Sequence, residues 1–328
     1  MRSGTIGRRR SRALPVLTAA VVVTALLAIG GRPEPDAGGP VVADGSSPAA
    51  ATSPPSADPL SAPQRQDATP AGTGAPPASS PAAPPAASPA PAPDPLAEKA
   101  AKASAITDSV EWASFTLVDR LAGRGVGDRR QGEVTNTEST VKAWLAADLL
   151  HERSGRLSDW ESQLMSRMIR SSDDDAAAVI WRMLGADRSI ARMIEVCRMT
   201  DTRVYPDWWS LTQISSRDLA RLGTCIVPGS GRYLSATAGA QLLALMRTVD
   251  ESNAFGIQQA QPAGRGVRIA VKNGWTEHGG SGLWNVNCLA LWGPDLRYVL
   301  AVTTRYPLAK GLAYGADVCR RVTTTLFP

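Results

Sequence analysis

The spacing of apolar residues along the chain changes from a strand pattern to a helix pattern and back again. Residues 110–119 are rich in β-branched and aromatic side chains, which is typical of a strand. From Ser139 onward, Val141, Leu145 and Leu149 recur four residues apart, which predicts a helix. Strand-like segments return in the last third of the chain. This order predicts an α+β fold in which strands from both ends form one antiparallel sheet around an inserted helical block.

Caps and turn residues divide these patterns into individual elements. Ser158 and Glu161 form a capping box that begins a helix. Residues 204–211 show neither period and are predicted to be an irregular loop. The sheet and the inserted helical block are predicted to form two lobes, and a binding site is expected in the cleft between them. The predicted helices are 96–109, 139 to a stop at Gly155, one from 158, 174–184, one before Cys197, 216–222, 237–249 and 312–325; the predicted strands are 110–119, one after a turn at 123–127, 267–272, 283–292 and 297–304.

The first 31 residues have the composition of an export signal. Residues 1–15 hold five arginines and no acidic residue, and an apolar run follows at 16–29. A basic region followed by a short apolar region is typical of a signal peptide. The run is shorter than the roughly 20 apolar residues of a full membrane span. We interpret 1–31 as a signal peptide or an uncleaved N-terminal membrane anchor, and either one places the rest of the chain outside the cytoplasm, secreted or at the membrane.

Residues 32–95 form a Pro/Ala-rich segment that cannot bury a core. Eighteen of the 25 prolines fall between Pro33 and Pro95. Such a composition predicts a disordered linker that separates a folded head from a membrane. The folded domain is therefore predicted at 96–328, which is long enough for one well-buried core.

Charge and cysteine content narrow the class of protein further. Basic and acidic residues are interspersed, and the formal net charge is +5, which does not favour a nucleic-acid partner. The cysteines lie too far apart for a structural zinc site, and we expect no metal or cofactor. In an exported chain their nearest-neighbour spacing favours two disulfides, although four buried thiols are the alternative. The expected pairs are Cys197–Cys225 and Cys288–Cys319.

A histidine-based catalytic triad is not expected, because the chain has two histidines. His151 lies within a predicted helix. His278 lies in a Gly-rich loop, where it either borders a cleft or is an ordinary loop residue. Lysine can replace histidine as a base when burial and nearby positive charge lower its pKa. Only five of the 35 basic residues are lysines, so a lysine at a suggestive position is informative.

The segment Ser139-Thr140-Val141-Lys142 supplies such a lysine. Positions i and i+3 share one helix face, and the helix N-terminus favours a developing negative charge. Ser172-Asp173-Asp174 follows at a predicted helix–helix junction, and Lys272-Asn273-Gly274 lies at the end of a predicted strand. The three segments resemble, in order and context, the S-x-x-K, S-D-N and K-T-G motifs of class A β-lactamases and penicillin-binding proteins. The resemblance covers roughly residue 99 to the C-terminus and implies their two-lobed fold.

The resemblance also implies roles for four side chains. Ser139 is the expected acylated nucleophile, and Lys142 is its base or proton relay. Ser172 is expected to pass a proton to the leaving nitrogen. Lys272 is expected to bind a substrate carboxylate and, as a second cation, to keep Lys142 neutral.

Substrate contacts are implied around the same strand. The backbone N–H groups of Ser139 and Trp275 are expected to form an oxyanion hole, and Gly274 lets the substrate approach the strand edge. Asn273 replaces the motif threonine and can still hydrogen-bond. Asp174 replaces the motif asparagine, and an ionised carboxylate accepts hydrogen bonds without donating any, which weakens amide recognition.

A second departure lies in the loop before Leu211. Class A β-lactamases carry a glutamate there that activates the deacylating water, whereas residues 205–211 contain no glutamate. Asp207 is the nearby acid, and Glu195 is expected at the surface. Fast β-lactam hydrolysis is therefore not expected. Trp208, Trp209 and Trp275 are candidates for stacking on a glycan or for simple packing.

The sequence thus predicts an exported, monomeric serine hydrolase that acts through an acyl-enzyme on an amide. The substrate is a β-lactam or a D-alanyl peptide of the cell wall, and the missing glutamate leaves a D,D-peptidase as an alternative to a β-lactamase. Asp174 favours a different class, a catalytically silent domain that binds peptidoglycan or a partner protein. An esterase using the same serine and lysine is the third alternative.

Overall fold

Strands from the two ends of the chain form one antiparallel five-stranded sheet. This computed structural model describes residues 94–229 and 233–328, so the predicted signal or anchor at 1–31 and the predicted linker up to residue 93 lie outside the described residues. The strands of this sheet are β1 (Ala113–Asp119), β2 (Arg124–Gly127), β5 (Ala270–His278), β6 (Leu283–Trp292) and β7 (Tyr298–Pro307). Their order is β2-β1-β7-β6-β5, and β1 pairs with β7, which confirms the predicted α+β arrangement.

The helices divide between the sheet and a helical lobe. Helices α1 and α8 pack together and against the sheet, and α6 packs on β1 and β7. Helix α2 contacts α3, α4, α5 and α7, and its residues 142–150 are all buried, so it forms the centre of the helical lobe. No helix among the described residues combines the length and apolarity that a membrane span needs. The helices are α1 (Pro95–Asp108), α2 (Lys142–Glu152), α3 (Asp159–Arg170), α4 (Asp174–Met183), α5 (Asp187–Val196), α6 (Ser216–Cys225), α7 (Ala236–Arg247) and α8 (Gly311–Leu326).

Two short strands connect the lobes. Strand β3 (Val134–Asn136) pairs with β4 (Gln213–Ser215) in a separate antiparallel ribbon. The sequence does not predict them, because three residues are too few to show a period. This ribbon fixes the segment that leads into Ser139 against the end of the irregular loop 204–211.

The boundaries of β5 correct the sequence prediction of a strand at 267–272. The strand begins at Ala270 and continues to His278, paired along its whole length with β6. Hydrogen bonding to the long strand β6 extends β5 as far as His278, which the sequence analysis places in a Gly-rich loop. His278 is therefore the last residue of a strand, and the Gly-rich turn begins after it.

Both predicted cysteine pairs lie at disulfide distance. The Cα atoms of Cys197 and Cys225 are 5.5 Å apart, and those of Cys288 and Cys319 are 6.4 Å apart. The first pair joins the end of α5 to α6, and the second joins β6 to α8. Each bridge closes a long segment of chain, 28 and 31 residues respectively.

Removing either bridge should destabilise the domain. Chain-entropy arguments give a loss of about 3.5 kcal/mol in unfolding free energy for loops of this length. The double variant Cys288→Ser, Cys319→Ser should therefore unfold at lower denaturant than the wild type. Non-reducing peptide mapping should recover the two nearest-neighbour pairs, and crossed pairs or free thiols would contradict this assignment.

Candidate active site

The segment carrying Ser139 lies against strand β5 at the edge of the sheet. A 3₁₀ helix, Glu138–Val141, leads directly into α2, which begins at Lys142. A Cβ atom placed on Gly274 would lie 2.6 Å from the backbone nitrogen of Ser139 and 2.7 Å from that of Thr140. Glycine at 274 is therefore required for this close approach. Trp275, whose backbone N–H is the other expected oxyanion donor, is the next residue of the same strand.

The ammonium group of Lys142 is completely buried and bound at one side of the site. Its Nζ donates to the Ser172 carbonyl oxygen at 2.6 Å, to Ser172 Oγ at 3.3 Å and to Asp174 Oδ1 at 2.5 Å. It also lies 5.1 Å from the centre of the Trp209 ring. Among the described residues, no hydrogen bond joins Lys142 to Ser139. The side chain of Lys142 is therefore held by Asp174 and Ser172.

Ser172 lies between the two lysines. It occupies the α3–α4 connection with a φ of +57°, an unusual backbone conformation for serine that turns the chain between the helices. Its Oγ accepts from Lys272 Nζ at 2.9 Å as well as from Lys142. The structure thus brings the three motif segments together at one hydroxyl group, which can pass a proton between the lysines and a substrate.

The charges of the two lysines influence each other. Burial lowers the pKa of Lys142, and the hydrogen bond and charge of Asp174 oppose that shift. Burial lowers the pKa of Lys272 well below its ordinary value, and the charge of Lys142 lowers it further. The direct contact with Asp174 favours the protonated form of Lys142, whereas Lys272 donates to Ser172 Oγ and to the carbonyl oxygen of Asn273.

Asn273 is buried and is not among the residues that line the cleft. Its side-chain nitrogen donates to the carbonyl oxygens of Asn253 at 2.9 Å and Phe255 at 3.0 Å. Successive side chains of a strand point to opposite faces, so Asn273 lies away from the face of Lys272 and Gly274. Its role in the structure is to attach the loop 253–255 to β5.

A cleft of about 620 Å³ opens over Ser139. Seven of the residues that the sequence singled out line it. The other motif residues, Lys142, Ser172, Lys272, Asn273 and Gly274, are not among its lining residues. Helix α4 supplies a further wall that the sequence analysis missed. The spacing i, i+4, i+7 from Asp174 would have identified it, because those positions share one helix face. Among the lining residues are Ser139, Asp174, Asp207, Trp208, Trp209, Trp275 and His278 from the sequence analysis, and Glu138, Asp175, Trp181 and Arg182 in addition.

The irregular loop forms the wall opposite β5. Asp207 is exposed with a φ of +59°, and its backbone N–H donates to Asp187 Oδ2 at 3.0 Å. The Thr137 hydroxyl donates to the Ser210 carbonyl oxygen at 3.1 Å, which attaches this loop beside Ser139. Glu195 is exposed on α5 and does not line the cleft.

The two histidines lie in different settings. His278 Nε2 donates to Glu138 Oε1 at 2.8 Å, and Asn285 donates to the same oxygen at 3.1 Å. Glu138 is the residue before Ser139 and is 1% exposed. His278 therefore borders the cleft, which was one of the two alternatives that the sequence left open for it. His151 stacks on Tyr233 outside the cleft.

Comparison with known proteins agrees with this geometry. Residues 154–327 match the model of the beta-lactamase enzyme family. The matched range contains Ser172 and Lys272 and begins after Ser139 and Lys142. No curated protein sequence matches the chain.

Solved structures share the fold at low sequence identity. A class A beta-lactamase from Mycobacterium abscessus superposes with a TM-score of 0.54 at 17% identity, covering 70% of this chain and 97% of that one. PBP-A gives a TM-score of 0.58 at 20% identity, with 72% and 97% covered. A beta-lactamase from Chitinophaga pinensis gives 0.58 at 14% identity, with 70% and 98% covered. These similarities establish the class A β-lactamase-like α+β fold.

Replacing Asp174 by Asn should increase the fraction of Lys142 that is neutral and able to accept a proton. Loss of the carboxylate lowers the pKa of Lys142, so a larger fraction is neutral at pH 7. The rate of covalent modification by a β-lactam should rise on the order of tenfold for each unit by which that pKa falls. The limb of the pH profile on which the rate rises should move to lower pH. Stopped-flow or quenched acylation kinetics between pH 5 and 10 measure both effects.

Glu195→Gln is the matched control, since it removes an exposed carboxylate outside the cleft. Its pH profile should coincide with that of the wild type. An Asp174→Asn profile that also coincides with the wild type would contradict control of Lys142 by Asp174.

Proposed function

The chain belongs to the beta-lactamase enzyme family, and from that premise we propose that it is a serine hydrolase that acylates Ser139. The proposed substrate is an amide, either a β-lactam or a D-alanyl peptide of the cell wall. The observation that carries the proposal is the convergence of Lys142 and Lys272 on the Ser172 hydroxyl beside the segment of Ser139. Burying two of the chain's five lysines at one point costs folding free energy. Such an arrangement is typical of a functional site.

The proposed reaction uses these side chains in a fixed order. Neutral Lys142 takes the proton of the Ser139 hydroxyl, and Ser139 Oγ forms a bond to the carbonyl carbon. The backbone N–H groups of Ser139 and Trp275 stabilise the negative charge that develops on the carbonyl oxygen. The carbon–nitrogen bond then breaks, and the Ser172 hydroxyl protonates the leaving nitrogen and regains a proton from a neighbouring lysine.

Release of the acyl group is proposed to be slow. The loop that lines the cleft opposite β5 offers Asp207 and no glutamate for activating water. Asp207 is exposed, and its backbone N–H rather than its carboxylate makes the hydrogen bond that holds it, so nothing among the described residues orients the carboxylate for a general base. A persistent acyl-enzyme is more typical of a peptidase that meets a β-lactam than of a β-lactamase.

We also infer that the domain works outside the cytoplasm. The N-terminal basic and apolar segments have the pattern of an export signal. Two cysteine pairs at disulfide distance support an oxidising compartment. Both features suit a cell-wall peptide as the substrate.

A silent binding domain is the second candidate, and one observation favours it. Asp174 pairs with Lys142 at 2.5 Å, and such an ion pair favours the protonated lysine over the neutral base that acylation of Ser139 needs. In that case the cleft would bind peptidoglycan or a protein without covalent chemistry.

Intact-mass spectrometry after incubation with benzylpenicillin tests the proposal. The wild-type chain should gain the mass of one penicilloyl group and keep it over many minutes, while Ser139→Ala should gain nothing. Peptide mapping should place the group on Ser139.

The other outcomes are distinct. Intact penicillin and no adduct would support the silent domain. Labelling that persists in Ser139→Ala would refute the nucleophile. Consumption of penicillin without a lasting adduct would show that deacylation is fast.

A further inference from the structure

Glu138 immediately precedes Ser139, and its carboxylate is bound to two strands of the sheet. Its Oε1 accepts a hydrogen bond at 2.8 Å from Nε2 of His278, the last residue of β5. The same oxygen accepts a hydrogen bond at 3.1 Å from Nδ2 of Asn285 on β6. Glu138, His278 and Asn285 thus form a carboxylate bridge between the segment that leads into Ser139 and the sheet.

The backbone before Ser139 needs such contacts. Glu138 has a φ of +48°, a conformation that residues with a side chain rarely adopt. A strained conformation of this kind persists only where the surrounding structure holds it. Asn287 adds a second attachment, since its Nδ2 donates to the carbonyl oxygens of Asn136 at 2.7 Å and Thr137 at 3.2 Å. The three residues before Ser139 are therefore each bound to a side chain of the sheet.

Packing alone does not require a carboxylate at position 138. Glu138 is 1% exposed, and among the described residues its one ion-pair contact is with His278. Burying a carboxylate costs folding free energy that a neutral side chain of the same shape does not cost. Glutamine has that shape and also offers an oxygen that accepts hydrogen bonds. A residue that opposes folding in this way is typical of a functional site.

The bridge acts on the part of the sheet that carries the expected oxyanion hole. Gly274, which approaches the Ser139 backbone, and Thr276 lie directly opposite the two asparagines of β6. Directly opposed residues of antiparallel strands share one face of the sheet. Trp275, the other expected oxyanion donor, lies between them on β5. A displacement of residues 136–138 relative to β5 therefore changes the distance between the N–H groups of Ser139 and Trp275.

We propose that Glu138 is a positioning residue, which through His278 and Asn285 holds the backbone N–H of Ser139 at the distance from that of Trp275 that the transition state requires. The inference rests on the proposed function, since it concerns acylation of Ser139. Glu138 transfers no proton in this role. It sets, before any reaction, the geometry in which the two N–H groups stabilise negative charge on the carbonyl oxygen.

Acylation kinetics distinguish positioning from substrate binding. Quenched intact-mass spectrometry on the full-length chain measures the rate constant at saturating benzylpenicillin and the half-saturating concentration. Glu138→Ala should lower the rate constant about tenfold and change the half-saturating concentration by less than about twofold, because the oxyanion hole acts on the transition state. Glu138→Gln keeps an acceptor oxygen and should restore the rate constant to within about threefold of the wild type.

Asn285→Ala breaks the bridge at a residue that does not line the cleft. It should lower the rate constant about threefold, and it should cause no further loss in the Glu138→Ala background, where the bridge is already broken. Thr304→Val is the matched control. It removes a buried hydrogen bond to the Val286 carbonyl oxygen on the opposite face of β6. Both kinetic parameters should stay at their wild-type values.

Backbone amide signals in NMR spectra report the same geometry without any reaction. Glu138→Ala should shift the signal of Trp275, and Asn285→Ala should shift that of Ser139. Each signal belongs to a different segment from the substitution, so the shift reports a change across the site. Thr304→Val should leave the Ser139 signal in place.

Four results would overturn the positioning role. They are an unchanged rate constant in Glu138→Ala, an equal loss in Glu138→Gln, additive losses in the double variant, and a change confined to the half-saturating concentration. If Glu138→Ala does not fold, an unchanged rate constant in Asn285→Ala would overturn it instead.

The proposed function fails separately, if penicillin never labels the wild-type chain. The amide signals then decide the bridge, since the expected shifts support it and unchanged signals overturn it.

Discussion

The ion pair between Lys142 and Asp174 is the interaction on which the rest of the site depends. Lys142 begins a helix whose next eight residues are all buried, so its ammonium group has no access to water. A buried ammonium needs charge or hydrogen-bond partners, or it loses its proton. Asp174 is 77% exposed and reaches inward from the start of α4 to supply one. That carboxylate therefore favours the protonated form of Lys142, against the burial that lowers its pKa.

The fold brings the partners of this pair together from distant parts of the chain. Helix α2 supplies Lys142, the α3–α4 connection supplies Ser172, and β5 supplies Lys272. The two lysines meet at Ser172 Oγ, at 3.3 Å and 2.9 Å. Glycine at 274 removes the side chain that would otherwise hold β5 away from the Ser139 backbone. A change in any one of these segments therefore alters the surroundings of the two lysines.

Much of the fold can be predicted from the sequence because its elements are long and periodic. The strand at 283–292 agrees with β6 residue for residue, and the capping box at Ser158 begins α3 as predicted. Strand β5 was predicted too short, because its pairing with β6 continues past Gly274 to His278 and no local pattern shows that pairing. Strands β3 and β4 have three residues each and leave no periodic signal.

The site residues likewise divide into those that the sequence identifies and those that only the fold reveals. The residues of the three motifs could be found because their spacing is a property of the sequence. Glu138 was missed because its importance comes from a fold that buries it against His278 and Asn285. The side chain of Asn273 is held by the carbonyl groups of Asn253 and Phe255. No local sequence pattern shows that contact. The pairing of Asp174 with Lys142 likewise exists only once α2 and α4 pack together.

Direct titration of the lysines by NMR tests this account most directly. With five lysines in the chain, isotope labelling of their side chains gives a spectrum in which each can be assigned by substitution. The account predicts that Lys142 remains protonated to higher pH than Lys272, and that Asp174→Asn lowers the pKa of Lys142. A Lys142 that titrates at the same pH with and without the Asp174 carboxylate, or that loses its proton before Lys272, would contradict it.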